Sequence, residues 1–221
     1  ELCAEANIPV VYINREPDAE REEAWKADGI KATYVGADAR QSGTFQGEEI
    51  AELENKGDAD GDGTVRYINV DAQYRTEKSV EALKAAGVEV EELVKMRGDW
   101  DQTKGQEITA NALSQYGDKI DVVFCNNDAM ALGALQAIEA AGRTVNKDIY
   151  LVGVDALVEC VENVMNDKMT GTVFNDYFGQ AHTAADKALD FVNGKDVDNV
   201  NMVDYVKVTK DNAEEILEKI K

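Results

Sequence analysis

Short apolar runs alternate with longer amphipathic stretches along almost the whole chain. The runs are residues 8–13 (IPVVYI), 32–36 (ATYVG), 65–70 (VRYINV), 90–96, 120–125 (IDVVFC), 149–154 (IYLVGV), 171–174 and 203–208. Several are rich in valine and isoleucine and apolar nearly throughout, the pattern of strands covered on both faces. Between them, apolar residues recur at helical spacing over 43–56, 74–86, 102–116, 129–141, 157–167, 180–192 and 212–220. Gly87, Gly142 and Gly194 each follow such a stretch where a C-terminal helix cap belongs. Strand–helix alternation with right-handed crossovers predicts an α/β fold with doubly wound parallel sheets.

Composition narrows the function classes. The 221 residues suit one large α/β domain or two smaller lobes. The net charge of −21 argues against nucleic acid, whose phosphates need a basic patch, and against anionic lipid. Cys3, Cys125 and Cys160 form no metal spacing and no disulfide framework; Cys125 and Cys160 sit in apolar runs and read as small core residues. No apolar run reaches the roughly 18 residues of a membrane span. The opening, ELCAEANIPVVYIN, reads as a helix tail entering a buried strand, so the chain is expected to begin inside a domain. The missing leader then says nothing of location.

In open parallel sheets, ligands bind beyond the carboxyl ends of the strands. The residues there are consistent: Asn14, Asp71 with Arg75 four further on, Trp100 after a short loop, Asn127, Asp155 and Asn175. Carboxylates accept, a guanidinium donates in a planar fork and amides do both, so each can bridge neighbouring hydroxyls. An indole can cover the apolar face of a sugar ring. Taken singly, Asn127 and Asp155 read equally well as helix N-caps, Asn14 and Asn175 as turn residues, Arg75 as a surface residue and Trp100 as a core or edge aromatic. Their recurrence at one end of successive strands points to a binding cleft.

The segment DADGDGTVR, residues 58–66, fits the first half of an EF-hand calcium loop. Asp58, Asp60 and Asp62 stand at positions 1, 3 and 5, Gly63 makes the turn, and Thr64 can offer its carbonyl. Position 9 is Arg66, which does not ligate a metal, and position 12 is Asn69 rather than Glu. A strand follows instead of a helix, so the remaining acid must come from elsewhere.

These segments resemble one family. VVYINREP, YVGADARQSGTFQGEEIA, DADGDGTVRY, FCNNDAMALGALQAI, VGVDAL and GTVFNDYFGQA are similar, in order, to the galactose/glucose-binding proteins that serve ABC importers and sugar chemotaxis. Part of the pattern is shared with ribose-binding proteins and the effector domains of LacI-type repressors; the calcium loop narrows it. The resemblance implies the type I periplasmic-binding-protein fold, with a monosaccharide held between two lobes joined by three crossing strands. It places hexose contacts on Asn14, Asp71, Arg75, Trp100, Asn127, Asp155 and Asn175, and makes Asp121 the distant ligand of a structural calcium ion. The family usually has Glu at Asp121, an amide at Arg66, and a sugar-bonding His in a longer segment where this chain has only Ile68, Asn69 and Val70, leaving Asn69 as a partial substitute. The lone His182 lies in a helical stretch and reads as structural. Roughly the family's first third has no counterpart here, including an aromatic opposite Trp100. The chain is therefore expected to carry one complete lobe, residues 38–174 with 203–221, and a remnant of the other, 1–36 with 176–201. As given, the chain is then expected to bind hexose poorly.

The implied role is an extracytoplasmic, non-enzymatic solute receptor, in the periplasm or at the cell surface. Its partners are a hexose, the membrane subunits of an ABC transporter and a chemoreceptor, with no nucleic acid. The alternative is the sugar-sensing effector domain of a LacI-type transcriptional regulator, against which the calcium loop and the acidic charge count. No nucleophile elbow, phosphate-cradling glycine loop or His beside a nucleophile is present to support an enzyme.

Overall fold

The computed structural model describes residues 2–71 and 75–221. The chain divides into two compact units: Glu1–Asp38 with Asp176–Tyr205, and Ala39–Asn175 with Val206–Lys221.

Unit 1 holds α1 (Leu2–Glu5), β1 (Val10–Ile13), α2 (Ala19–Ala27), β2 (Ala32–Gly36), α8 (Tyr177–Val192) and β8 (Val200–Met202). Its sheet runs β1-β2-β8, all parallel. Trp25, Ala32 and Tyr34 form its core, packed by Val10, Ile30 and Val200. The Trp25 ring stacks on Tyr12 at 5.3 Å. The helix α2 has no counterpart in the apolar pattern, because AEREEAWKA buries little besides Trp25 and Glu22. The first run was expected to be a buried strand, yet Tyr12 and Ile13 are exposed.

Unit 2 holds α3 (Ala39–Ala51), β3 (Val65–Asp71), α4 (Arg75–Ala85), β4 (Val90–Arg97), α5 (Gln102–Tyr116), β5 (Val122–Cys125), α6 (Asp128–Ala140), β6 (Tyr150–Val152), α7 (Val158–Met165), β7 (Thr172–Phe174), β9 (Val206–Val208) and α9 (Ala213–Ile220). The expected start of α4 at Tyr74 lies outside the described residues. The parallel sheet runs β4-β3-β5-β6. Parallel bridges from Val152 to Gly171 and from Asp155 to Phe174 carry the order on to β7.

Alternation sorts the strand residues to two faces. Ile68, Val70, Val123, Cys125 and Leu151 meet α5, α6, α7 and α9 in one core. Val65, Tyr67, Val122, Phe124, Tyr150 and Val152 meet Ile50 of α3 and Leu83 of α4 in the other. The sheet is thus doubly wound, and each fully buried large aliphatic or Phe side chain contributes about 1.5–3 kcal/mol. Cys125 and Cys160 are buried in this core and Cys3 is exposed.

Three details differ from the sequence pattern. Run 203–208 is not one strand: β8 ends at Met202 in unit 1 and β9 begins at Val206 in unit 2. Nor is the sheet wholly parallel, since β9 pairs with β7 antiparallel. The strand β4 is an edge strand whose Glu91, Glu92 and Lys95 are not covered on both faces. Gly87, Gly142 and Gly194 end their helices as expected, with φ of 79°, 78° and 70°. Each is followed by the amide-to-carbonyl closure of a Schellman turn, as from Val88 to Leu83.

Candidate functional site

Six of the seven strand-end residues lie on unit 2. Asp71 is the last residue of β3 and Arg75 the first of α4; Trp100 stands between β4 and α5. Asn127, Asp155 and Asn175 follow β5, β6 and β7. Asn14 follows β1 in unit 1, where its carbonyl accepts a hydrogen bond from the Tyr34 hydroxyl at 3.2 Å.

The unit 2 residues are held by a connected polar network. Asp71 Oδ1 accepts from Thr76 Oγ1 at 2.6 Å and from Asn126 Nδ2 at 2.9 Å. Asn126 Nδ2 also donates to Thr76 Oγ1 at 3.0 Å. Arg75 Nη1 donates to the Asn126 carbonyl, and its guanidinium lies 5.6 Å from the centre of the Trp100 ring. Asn127 Nδ2 reaches the Trp100 carbonyl at 3.4 Å. Thus Asp71, Arg75, Trp100 and Asn127 form one edge, with Asn126 at its centre.

Asn127 is also a helix cap. Its Oδ1 accepts from the Met130 amide at 2.9 Å, so its acceptor is committed and its amide hydrogens face outward from that bond. Asp155 and Asn175 are joined through the backbone: the Asp155 amide donates to the Val173 carbonyl at 2.8 Å, and Asp155 bridges Phe174. Burial raises the Asp155 carboxyl to about 6, partly opposed by the positive charge of Arg75.

Backbone strain concentrates here. On unit 2, Trp100 and Asp155 have φ of 64° and 116°. A non-glycine residue at such angles costs of order 1–3 kcal/mol and is kept where the surroundings over-determine it.

Residues that the pattern did not single out hold the edge in place. Gln46 of α3 is buried and donates from Nε2 to the Cys125 carbonyl at 2.8 Å and the Gly153 carbonyl at 3.3 Å, gripping the ends of β5 and β6. Asp128 is buried; its Oδ1 accepts from Thr172 Oγ1 and its Oδ2 from the Leu157 amide, both at 2.7 Å. It thereby ties α6 to the segments carrying Asp155 and Asn175, and burial raises its carboxyl to about 7. A polar residue amid NNDAM was the only available hint. Asn69 does not join the edge: it is buried inside β3, its Nδ2 3.4 Å from Glu92 Oε2.

The acidic loop lies at the opposite end of the sheet, before β3 and β5. Among the described residues, Asp58, Asp60 and Asp121 bring carboxylate oxygens within 4.8 Å of one another. An oxygen-only carboxylate set suits a hard cation such as calcium. Asp121 is buried directly before β5, accepting from the Ala59 amide at 3.1 Å and the Arg66 amide at 2.7 Å. Burial raises its carboxyl to about 6, and Asp60 and Asp58 add to the shift. Asp62 turns instead to Arg66, whose hydrogen bond holds its carboxyl below the usual range.

The sequence profile of the periplasmic binding protein domain matches residues 1–196. The chain belongs to the periplasmic binding protein family. It is 32% identical over 231 residues to the D-galactose/methyl-galactoside binding periplasmic protein MglB of Haemophilus influenzae, covering 96% of this chain and 67% of that protein. It is 29% identical over 198 residues to the ribose import binding protein RbsB of Bacillus subtilis, covering 89% of this chain and 59% of that protein. A solved ABC transporter solute binding protein from Bacillus halodurans with bound myo-inositol matches with a TM-score of 0.78 and 31% identity, over 99% of this chain and 71% of that one. The α/β architecture with parallel sheets is that of the type I periplasmic-binding-protein fold. These relatives are binding proteins, not enzymes. Among the described residues, no helix of this family member is long and apolar enough to cross a membrane.

Proposed function

We propose that this chain is the extracytoplasmic binding protein of an ABC sugar importer and takes a hexose such as galactose or glucose. The observation that carries the proposal is the polar edge formed by Asp71, Arg75, Trp100 and Asn127, with Asp155 and Asn175 on the adjoining strand ends. Asn14 is the proposed further contact. Fixed acceptors, fixed donors and one aromatic face match a ring with vicinal hydroxyls. A wrong epimer would leave one of these groups unpaired, at roughly 1–3 kcal/mol. Galactoside, ribose and myo-inositol, named for the relatives above, share that chemistry. The proposed partners are the importer's membrane subunits, with a chemoreceptor as a second reader of the bound form.

The proposal includes a structural calcium ion. Asp58, Asp60 and Asp121 would hold it, with Asp62 and the Thr64 carbonyl as further oxygen donors. It would tie the loop to the start of β5.

Isothermal calorimetry with galactose, glucose, ribose and myo-inositol, run on a protein that also carries the family's first third, tests the function. A hexose is expected to bind most tightly, and Asp155→Ala to weaken it at least about tenfold, the scale of one lost charge-assisted hydrogen bond. Binding of none of the four, or unchanged affinity in the Asp155→Ala protein, would refute the reading.

A further inference from the structure

The acidic loop already contains a cation. Arg66 is the second residue of β3, and the strand register sets it opposite Glu91 of β4. Its Nε donates to Glu91 Oε2 at 3.0 Å, and its Nη1 donates to Asp62 Oδ2 at 2.7 Å. The same Nη1 stands 3.9 Å from Asp60 Oδ2. Its side chain is 19% exposed, against 44% and 55% for Asp62 and Glu91, so the guanidinium is the inner member of the group.

The loop closes on itself around this charge. Asp58 accepts from the Gly61 and Gly63 amides at 2.8 and 2.9 Å. Asp60 and Asp62 accept from the Asp62 and Thr64 amides, each at 3.0 Å. The carboxylates therefore have fixed directions.

We propose that Arg66 is the resident cation of this loop: it neutralises Asp60 and Asp62, holds the loop folded without a metal, and keeps its calcium affinity low. The last part rests on the calcium reading above; the first parts do not. A guanidinium stays charged at any working pH and binds through a planar fork. A divalent ion among Asp58, Asp60 and Asp121 would share Asp60 with a positive charge only a few ångströms away, and Coulomb repulsion at that range is strong. To recruit Asp62, the ion must also break that residue's hydrogen bond to Arg66. The strand register and Glu91 hold the guanidinium against retreat.

The test compares the natural protein with Arg66→Gln, which offers a carbonyl, and Arg66→Met, which only removes the charge. Calcium affinity is measured by equilibrium dialysis, and melting temperature in EGTA and in calcium. Both variants are expected to bind calcium at least about tenfold more tightly, consistent with removal of a like charge nearby. Both should melt lower than the natural protein in EGTA and recover in calcium, while the natural protein changes little. Equal calcium affinity in all three proteins overturns the role in affinity and leaves the calcium reading standing. Tightening in Arg66→Gln alone also overturns it, since a missing ligand rather than the charge would be the cause. If none of the three binds calcium, the calcium reading fails. The EGTA melts then decide the rest: lower stability in both variants upholds Arg66 as the loop's cation, and unchanged stability overturns it.

Discussion

Glu49 shows how far a single buried group can sit from its ordinary chemistry. It lies on α3, 3% exposed, with neither carboxylate oxygen in a hydrogen bond of full geometry. Its carboxyl packs over Gly171, where any side chain would collide with it. Burial pushes its pKa well up, and the Val208 amide and the charge of Lys207 only partly oppose this. The sign follows directly. The native state keeps a proton that the unfolded chain releases above its ordinary 4.5, so stability falls as pH rises above that value. Glu49→Met, of similar length and without the polar atoms, is expected to stabilise the protein by about 1–3 kcal/mol at pH 7. The gain should shrink toward pH 4, which urea melts at both pH values would show. The sequence gives no warning of this residue: in QGEEIA, Glu48 and Glu49 look alike, and only packing turns Glu48 to Lys207 and Glu49 to the core.

Between elements, the candidate edge depends on how closely helices approach. A side chain at Gly43 of α3 would strike the backbone of Arg75, the first residue of α4. Likewise Gly105 of α5 lies against the Met130 backbone and Gly133 of α6 against the Gln102 carbonyl. Gly43→Ala should therefore displace Arg75, weakening hexose binding about tenfold or more and costing about 1–3 kcal/mol of stability. Calorimetry and thermal melts check the two effects. Wild-type affinity in this variant would show that Arg75 is not a contact. Much of this level was legible. The span 102–116 matches α5 residue for residue, because its apolar positions recur at helical spacing. Helix α2 was missed because a mostly charged helix has no stripe to read. Strand β8 was missed and β9 was started three residues early, because Val203, Tyr205 and Val206 are apolar whether or not the backbone is paired.

Across the molecule, buried acids set the response to pH. Glu49, Asp128 at about 7 and Asp155 at about 6 are all raised by burial. Each contributes stability that is fully present below its unfolded value and is lost as pH rises through its native one. Asp62, Asp99 and Asp190 are lowered by Arg66, Lys104 and Lys195, so their contribution is lost only in stronger acid. Maximum stability is therefore expected in mildly acidic solution, with a fall between pH 5 and 7.5. The net charge of −21 adds self-repulsion in the same direction, so salt should raise the melting temperature at pH 7.5 more than at pH 5. A flat or rising profile in scanning calorimetry would contradict this.

The sequence by itself determined the class of fold and the strand-end positions, because strand period, helix period and chain order are local properties. It determined the residue types at those ends, and so the polyol chemistry they suit. Only the tertiary structure decided which of them share a network. Asn126 meets Asp71 and Thr76, and Asp128 meets Thr172, through contacts across tens of residues, and no local pattern encodes these. It also decided that Asn127 spends its acceptor on capping α6, that Asn69 is buried away from the edge, and that Asp62 faces Arg66 rather than Asp58 and Asp60. A polar side chain can serve structure or ligand equally well, and its neighbours in space determine which.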